Sequence, residues 1–245
     1  MNTVVIIPSR LSASRLPGKP LLKINGLSVI SHVFKKAQKA KIGDVYVAAE
    51  DEEIVDDVKK NGGEAILTGN NHKTGTDRIY EALKKLGKKN IDLVMNLQGD
   101  EPLIDIEDIQ NLKKHMINKP ESCIGTLAAG ITEEKKYEDH NIVKLTSEKK
   151  LDFSSFPKAI DFSRKTKKNL KNTYHHLGIY CYTLDVLEKF VFLKQSKSEI
   201  KFKLEQFRAL DNKISINVAL ARSAPIGVDT LEDYIAIKKI MEYKS

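Results

Sequence analysis

Three cations lie close together near the start of the chain, where residues 8–20 carry Arg10, Arg15 and Lys19 among small and hydroxyl-bearing residues. Arginine forks bind phosphoryl oxygens through paired hydrogen bonds, lysine adds a point charge, and small residues let backbone N–H groups approach an anion. A solvated basic loop has a similar composition, but a position directly after a buried strand favours a phosphate cradle. The spacing matches neither the GxxxxGK motif of P-loop proteins nor the GxGxxG dinucleotide fingerprint. P-loop hydrolysis and nicotinamide cofactors are therefore disfavoured.

Two isolated acids are candidates for holding a metal ion. Asp100 follows the third predicted strand, and Asp229 stands directly before a predicted helix. Carboxylates in such places can hold Mg²⁺ against a triphosphate, which suits phosphoryl-type transfer. Either acid could instead form a turn or cap a helix, and Thr230 is a second cap candidate beside Asp229. The sequence alone does not show whether the two carboxylates converge.

Alternating strands and helices are expected to position these residues. Short apolar runs rich in β-branched residues predict buried parallel strands, and apolar residues three and four positions apart predict helices. This order predicts an α/β fold with a Rossmann-like doubly wound mixed sheet, in which ligands bind at the carboxyl ends of the strands. The elements predicted in this part are strands at 3–8, 45–49 and 91–97, and helices at 28–40 and 52–61, the second ending in an Asn-Gly-Gly C-cap.

The rest of the chain is expected to complete one domain over residues 1–245. Residues 121–182 are more polar and predict a small inserted β-rich excursion, or a segment that forms a dimer. Thr230 is expected to cap the closing helix, with acids in its first turn. The elements predicted here are strands at 124–130, 141–145, 176–182 and 214–220, and helices at 203–210 and 230–243.

The composition favours a soluble globular protein. The chain has 245 residues, a net charge of +8 and 41% apolar residues, and no apolar run approaches the length needed to cross a bilayer. The lysines are scattered without interleaved aromatic residues, which argues against nucleic acid and suits a small anionic substrate. Two cysteines without CxxC spacing support neither a disulfide framework nor a zinc site, and the start of the chain does not look like an export signal. We therefore expect a cytoplasmic protein without a membrane partner.

Several segments together resemble the 3-deoxy-manno-octulosonate cytidylyltransferase (CMP-Kdo synthetase) family. They occur in the family's order between residues 4 and 233. The RLPGKP segment alone indicates only nucleotidyl transfer, whereas the combination of segments indicates a Kdo-like sugar. The resemblance implies a fold of the sugar nucleotidyltransferase type. The segments are IIPSRLSASRLPGKPL (6–21), HKTGTDR (72–78), LQGDEP (97–102), HLGIY (176–180), KLEQFR (203–208) and GVDT (227–230).

The resemblance also implies roles for single residues. Arg15 and Lys19 lie nearest the developing charge, Arg78 reaches toward the sugar acid, and Asp100 and Asp229 bind the Mg²⁺ cofactor. The catalytic set is Arg10, Arg15, Lys19, Asp100 and Asp229. The nucleotide-binding set is Pro8, Arg10, Arg15, Lys19, Thr74, Gly75, Arg78, Gln98 and Gly99. The sugar-binding set is Arg78, Gln98, His176, Tyr180, Glu205 and Gln206.

The implied reaction is attack of the sugar's anomeric 2-hydroxyl on the α-phosphorus of CTP, with loss of pyrophosphate, in lipopolysaccharide biosynthesis. The implied partners are CTP, an acidic 3-deoxy sugar and a second copy of the chain in a homodimer. A cytidylyltransferase for a nine-carbon acid of the sialic type is an alternative, although QGDEP and GTDR weigh against it. A non-catalytic nucleotide-binding protein is the other, although retention of Asp100 and Asp229 argues for catalysis.

The chain departs from the family pattern mainly on the expected sugar side. Residues 152–157 and 161–164 each match the family's central Tyr-Phe-Ser-Arg motif imperfectly, and the sequence does not decide between them. Phe202 stands where an acid commonly precedes LEQ, and Glu50 stands where the family generally has Asp. These changes suggest a modified sugar, of which an 8-amino Kdo is the leading variant.

Overall fold

The computed structural model describes residues 1–12, 15–165 and 171–243, which fall into two compact units. The first unit comprises Asn2–Glu107 and the chain from Pro225 onward, and the second comprises Met1 with Asp108–Ala224. The excursion predicted at 121–182 lies within the second unit. In the described part of the chain, no helix is both long and apolar enough to span a membrane.

The first unit is built on four parallel strands with helices between them. Its strands lie in the order β6-β1-β4-β5, and every pairing among them is parallel, which confirms the predicted α/β class. A 3-10 turn at Lys19–Leu21 precedes a small hairpin of β2 and β3. The elements are β1 (Thr3–Ser9), β2 (Lys23–Ile24), β3 (Leu27–Ser28), α1 (Val29–Lys39), β4 (Asp44–Ala49), α2 (Glu52–Lys60), β5 (Ala65–Leu67), α3 (Gly75–Leu86) and β6 (Leu93–Asn96).

Local sequence signals account for these elements. The apolar residues of β1 are buried because both faces of a parallel strand are covered by helices. The Ser28 side chain caps α1 by accepting a hydrogen bond from Ser31 N. Asn61 ends α2 and Gly62 follows with φ +79°, as the Asn-Gly-Gly signal predicted. The three predicted strands and two predicted helices of this part are confirmed, whereas β5 and α3 were not predicted.

The second unit is a mixed sheet with short helices. In it β11 pairs with β7 in parallel, and β7, β10, β8 and β9 follow one another through antiparallel pairings. Helix α4 begins two residues before the unit. The elements are α4 (Ile106–Asn118), β7 (Ile124–Ala129), α5 (Lys135–Glu138), β8 (Lys144–Ser147), β9 (Ala159–Ser163), β10 (Thr173–Thr183), α6 (Leu184–Phe192), α7 (Lys197–Phe202), α8 (Phe207–Asp211) and β11 (Ile216–Leu220).

One helix prediction in this unit was wrong in its bounds. The helix expected at 203–210 begins only at Phe207, because Lys203 takes a left-handed conformation with φ +54° that ends α7. Residues between Lys203 and Phe207 therefore form a turn rather than a helical face. The strand expected at 141–145 likewise begins at Lys144.

The closing helix α9 (Leu231–Tyr243) returns to the first unit. Its start is held by Thr230 Oγ1, which accepts from Asp233 N at 3.2 Å, while Asp233 accepts from Thr230 N at 2.9 Å. The predicted cap at Thr230 is thus confirmed. Ile237 of this helix packs in a buried cluster with Ile24, Val29 and Val228, so α9 is anchored beside the hairpin of β2 and β3.

Candidate active site

A cavity of about 350 Å³ lies in the first unit, where β1 and β6 end and α3 begins. Its volume falls in the range of about 300–1,000 Å³ found for small-molecule sites. The carboxyl ends of adjacent parallel strands meet at one edge of a sheet, which explains the position. The lining residues are Pro8, Ser9, Arg10, Arg15, Leu16, Lys19, Pro20, His72, Lys73, Thr74, Gly75, Arg78, Gln98, Gly99, Asp100 and Asp229.

Every residue predicted for the nucleotide and the metal lines this cavity. The structure thus brings together segments that are far apart in sequence, while the individual roles stay predictions. Five other lining residues had no predicted role. Each of the five lies within two positions of a predicted residue, which was the available signal, and they are Ser9, Leu16, Pro20, His72 and Lys73.

Asp100 and Asp229 converge on one ammonium group. Lys19 Nζ lies 2.5 Å from Asp100 Oδ2 and 3.1 Å from Asp229 Oδ1, and Arg15 Nη2 lies 2.9 Å from Asp229 Oδ2. Val228 N donates to Asp100 O at 2.8 Å, which ties the two distant segments together. Asp229 is therefore part of a charged cluster, while Thr230 caps the helix. Asp100 also lies in the turn that follows β6, so the turn expected there and the charged cluster occur together.

The two neighbouring acids keep Lys19 charged. Burial alone would lower the pKa of Lys19, but the charge and hydrogen bond of Asp100, followed by those of Asp229, outweigh burial and raise it. Glu101 behaves in the opposite way, because burial and the neighbouring charges of Asp100 and Asp229 raise its pKa to about 8. At neutral pH Lys19 therefore carries its positive charge between the two acids, and Glu101 beside them is mostly protonated.

The donor set suits a magnesium ion. No group of three or more acid, histidine or cysteine side chains able to hold a metal occurs in residues 1–12, 15–165 and 171–243. Mg²⁺ is commonly bound through one or two carboxylates, with water and substrate phosphates completing its shell. Asp100 and Asp229, which already contact a single cation, fit that arrangement.

The basic loop after β1 is held from the end of β4. Leu11 N donates to Asp51 Oδ2 at 2.8 Å, and Ser12 Oγ donates to Glu50 Oε1 at 3.1 Å. Gly18 N donates to Leu11 O at 2.9 Å, which closes the loop ahead of Lys19. Glu50 stood out in the sequence only as a departure from the family, and Asp51 carried no prediction. Their position after a strand adjacent to β1 was the available signal.

Arg78 is buried, with only 3% of its surface exposed, although it lines the cavity. Its Nη1 donates to Thr68 Oγ1 at 2.7 Å and to Gly69 O at 3.1 Å, and its Nη2 pairs with Glu50. A buried guanidinium requires such partners because it cannot lose its charge. The described contacts therefore join Arg78 to the protein, and its role toward a sugar acid stays a prediction.

The cavity wall before α3 is organised by Glu81. Glu81 accepts hydrogen bonds from Gly69 N and His72 Nε2 and forms an ion pair with Lys85. Partial burial would raise the pKa of Glu81, but the bonds from Lys85, Gly69 and His72 outweigh it and lower the pKa to about 2. This permanently charged carboxylate holds the backbone that leads into the N-terminus of α3.

The N-terminus of α3 itself faces the cavity. Thr74 and Asp77 form a capping box, in which each side chain accepts from the other residue's backbone N–H. Gly99, which also lines the cavity, lies close to the backbone of β1, since a Cβ there would lie 2.9 Å from Pro8 O. Backbone N–H groups at such a helix start favour an anionic ligand.

The remaining predicted sugar residues lie in the second unit. The rings of His176 and Tyr180 are 5.5 Å apart, and His176 Nε2 is 3.1 Å from Thr126 Oγ1. Burial raises the pKa of Tyr180, and so do Tyr182 and the negative charge of Glu205. Glu205 is therefore close enough to Tyr180 to affect its hydroxyl electrostatically. Gln206 is buried at the start of α8. The structure thus places His176, Tyr180 and Glu205 near one another within the second unit.

The two candidates for the central motif differ in their surroundings. Phe153 is 59% exposed and belongs to a turn in which Asp152 accepts hydrogen bonds from Ser154. Phe162 is buried on β9, with its ring 5.1 Å from that of His176 in an edge-to-face arrangement. Only the segment containing Phe162 contacts the predicted sugar cluster among the described contacts.

Comparison with known proteins agrees with this geometry. Residues 4–216 match the family described as Cytidylyltransferase. The 3-deoxy-manno-octulosonate cytidylyltransferase of Afipia carboxidovorans is 41% identical over 242 residues, covering 98% of this chain and 97% of that protein. The enzyme of the same name from Thermodesulfovibrio yellowstonii is 41% identical over 252 residues, covering 98% of each. A solved CMP:2-keto-3-deoxy-manno-octonic acid synthetase complexed with CTP has a TM-score of 0.89 at 33% identity, covering 100% of both chains.

Proposed function

Because the chain belongs to the 3-deoxy-manno-octulosonate cytidylyltransferase family of enzymes, we propose that it transfers CMP from CTP to the anomeric 2-hydroxyl of 3-deoxy-manno-octulosonate and releases pyrophosphate. The observation that carries the proposal is the cluster of Asp100, Asp229, Lys19 and Arg15 on one cavity wall. Carboxylates can hold the magnesium ion of a magnesium-bound triphosphate, and neighbouring cations can neutralise its phosphates.

The polar groups of the cavity support binding of the nucleotide. Arg10, Arg15 and Lys19 supply positive charge for the phosphates, and the start of α3 supplies backbone N–H groups. Ser9 lines the same cavity, and its Oγ is buried and has no hydrogen-bond partner among the described residues. A buried hydroxyl left in that state is costly, so a ligand atom is a fitting partner for it.

Asp100 and Asp229 are the residues proposed to hold Mg²⁺. The bound ion supplies charge neutralisation on the phosphates and makes a coordinated hydroxyl more acidic. Lys19 stays protonated because its pKa is raised by Asp100 and Asp229, so it can neutralise charge that moves onto the leaving pyrophosphate. No covalent bond to the protein is needed, because one displacement at the α-phosphorus forms the new P–O bond and breaks the old one. Catalysis then depends on positioning and charge.

The second unit is proposed to bind the sugar acid. His176 and Tyr180 present a buried polar and aromatic surface, and Phe162 packs against His176. These contacts favour residues 161–164 over 152–157 as the central sugar-side segment. Assembly as a homodimer and a cytoplasmic location remain predictions, to be tested by sedimentation and cell fractionation.

Pyrophosphate release tests the proposed reaction. The full chain is incubated with Mg²⁺, Kdo and each of the four nucleoside triphosphates in turn. We expect release with CTP and Kdo only, and a fall in kcat of about a hundredfold or more in Asp100→Asn, because one of two metal ligands is lost. Asp56→Asn, which makes the same change at an exposed position on α2, is the matched control and is expected to retain activity.

Other acceptors separate the alternatives. Activity with a nine-carbon acid and none with Kdo would favour a sialic-type enzyme, and CTP binding without any turnover would favour a non-catalytic protein. The departures at Phe202 and in the central segment support the finer proposal that an 8-amino Kdo is preferred. Phe202 is 45% exposed, and its ring centroid lies 5.2 Å from that of Phe207 in a tilted arrangement. Equal turnover of Kdo and its 8-amino analogue would refute that preference.

A further inference from the structure

Glu50 lies between two segments that line the cavity and contacts both of them. It follows β4, whose last residue Ala49 is in register with Ser9 at the end of β1. The chain beyond Ser9 therefore runs past the chain beyond Ala49. The Glu50 side chain contacts both the basic loop after β1, through Ser12, and α3, through Arg78.

Arg78 fixes the orientation of the Glu50 carboxylate. The two side chains are 4% and 12% exposed, so neither charge can be left without its partner at low cost. Arg78 is itself anchored by Thr68 Oγ1 and Gly69 O, and Thr68 Oγ1 donates to Ala49 O at 3.1 Å. One carboxylate oxygen of Glu50 is thereby held on the guanidinium, while the other is directed at Ser12.

The consequence reaches the residues predicted to bind phosphate. Ser12 and Leu11 follow Arg10 directly, and Leu11 O accepts from Gly18 N, the residue before Lys19. A fixed Ser12 therefore restricts the backbone from which Arg10 and Lys19 extend. Through Gly69, the same Arg78 also restricts the segment that leads to the start of α3. Because the loop and this segment are already ordered before the ligand binds, binding does not have to include the entropic cost of ordering them.

We propose that Glu50 is a positioning residue that couples the phosphate-binding loop to α3 through Ser12 and Arg78. This inference rests on the proposed function, since the ligand is taken to be CTP. Glu50 contacts neither substrate nor metal in this scheme. It acts by holding the cations of the cavity in the arrangement that a triphosphate needs.

Calorimetric titration of the full chain with CTP and Mg²⁺ tests the proposal, alongside KM and kcat from pyrophosphate release. We expect Glu50→Gln to raise the Kd and KM for CTP by about tenfold, with a smaller effect on kcat. Ser12→Ala, which changes no charge and only the loop side of the coupling, is expected to raise the Kd by about threefold. Glu53→Gln on the exposed start of α2 is the matched charge control and is expected to bind as the wild type does.

The double variant distinguishes a coupled from an independent effect. In Glu50→Gln the Ser12 bond has already lost its charged acceptor, so adding Ser12→Ala is expected to change the Kd little further. The proposal would be overturned if the two single effects on the Kd for CTP multiply in the double variant. It would also be overturned if Ser12→Ala leaves the Kd unchanged, or if Glu50→Gln binds CTP more tightly. If Glu50→Gln fails to fold, Ser12→Ala alone decides. Absence of CTP binding by the wild type would instead refute the proposed function, and the coupling with it.

Discussion

Removing the charge of Glu199 tests how the second unit holds the turn that carries Glu205 and Gln206. Arg208 Nε donates to Glu199 Oε2 at 2.9 Å and Arg208 Nη2 to Oε1 at 2.6 Å, with side chains 2% and 4% exposed. Burial would raise the pKa of Glu199, but Arg208 outweighs it and the pKa is lowered. The pair thus ties α7 to α8 across the left-handed turn at Lys203.

The size of the effect follows from this burial. In Glu199→Gln the guanidinium of Arg208 keeps its charge and loses its counter-ion, which costs about 3–5 kcal/mol for buried pairs. Glu199 also accepts from Ser196 N at 3.2 Å in a capping box, and the amide oxygen of Gln can keep only part of these contacts. For a protein of 245 residues, the expected fall in Tm is roughly 6–20 °C.

Urea unfolding followed by circular dichroism measures this loss. Glu242→Gln, which removes an exposed pair with Lys238, is the control and is expected to cost about 0.5 kcal/mol or less. Replacing both partners, as in Glu199→Leu with Arg208→Met, is expected to recover most of the stability because no charge is left buried. A cost below about 1 kcal/mol for Glu199→Gln, or no recovery in the double variant, would refute this reasoning.

Two further predictions concern pH and packing. Burial, followed by the charge of His175, lowers the pKa of His176 to about 3 from 6.5, so the unfolded chain binds a proton below pH 6.5 that the folded chain does not. The free energy of unfolding therefore decreases as the pH is lowered. For this group the loss is about 2 kcal/mol between pH 6.5 and pH 5. His176→Gln should lower the pH slope of the unfolding free energy by up to about one proton between pH 5 and 6.5, and an unchanged slope would contradict this reasoning. A Cβ at Gly43 would lie 1.8 Å from Thr3 O, so Gly43→Ala is expected to cost about 3 kcal/mol in the same urea assay, and a neutral result would contradict the packing described.

Local patterns predicted most elements of the first unit correctly. β1 and β4 combine short apolar runs with β-branched residues, and α1 and α2 combine helical spacing with terminal signals, so each could be identified without tertiary contacts. The helix at 203–210 was misplaced because its apolar spacing looks helical. The left-handed Lys203 and the buried pair of Arg208 with Glu199 interrupt it, and neither follows from local spacing.

The types of the site residues were determined by the sequence itself. The cations of the basic loop, together with Asp100 and Asp229, indicated phosphate and metal chemistry because few other sites combine these groups. Whether the two acids meet was decided only by the tertiary structure, through the bond from Val228 N to Asp100 O and the shared contact with Lys19. The positioning role proposed for Glu50 could likewise not be predicted from the sequence. Ser12 and Arg78 come into contact with Glu50 only when β1 and β4 pair in parallel and the charges of Glu50 and Arg78 are buried together.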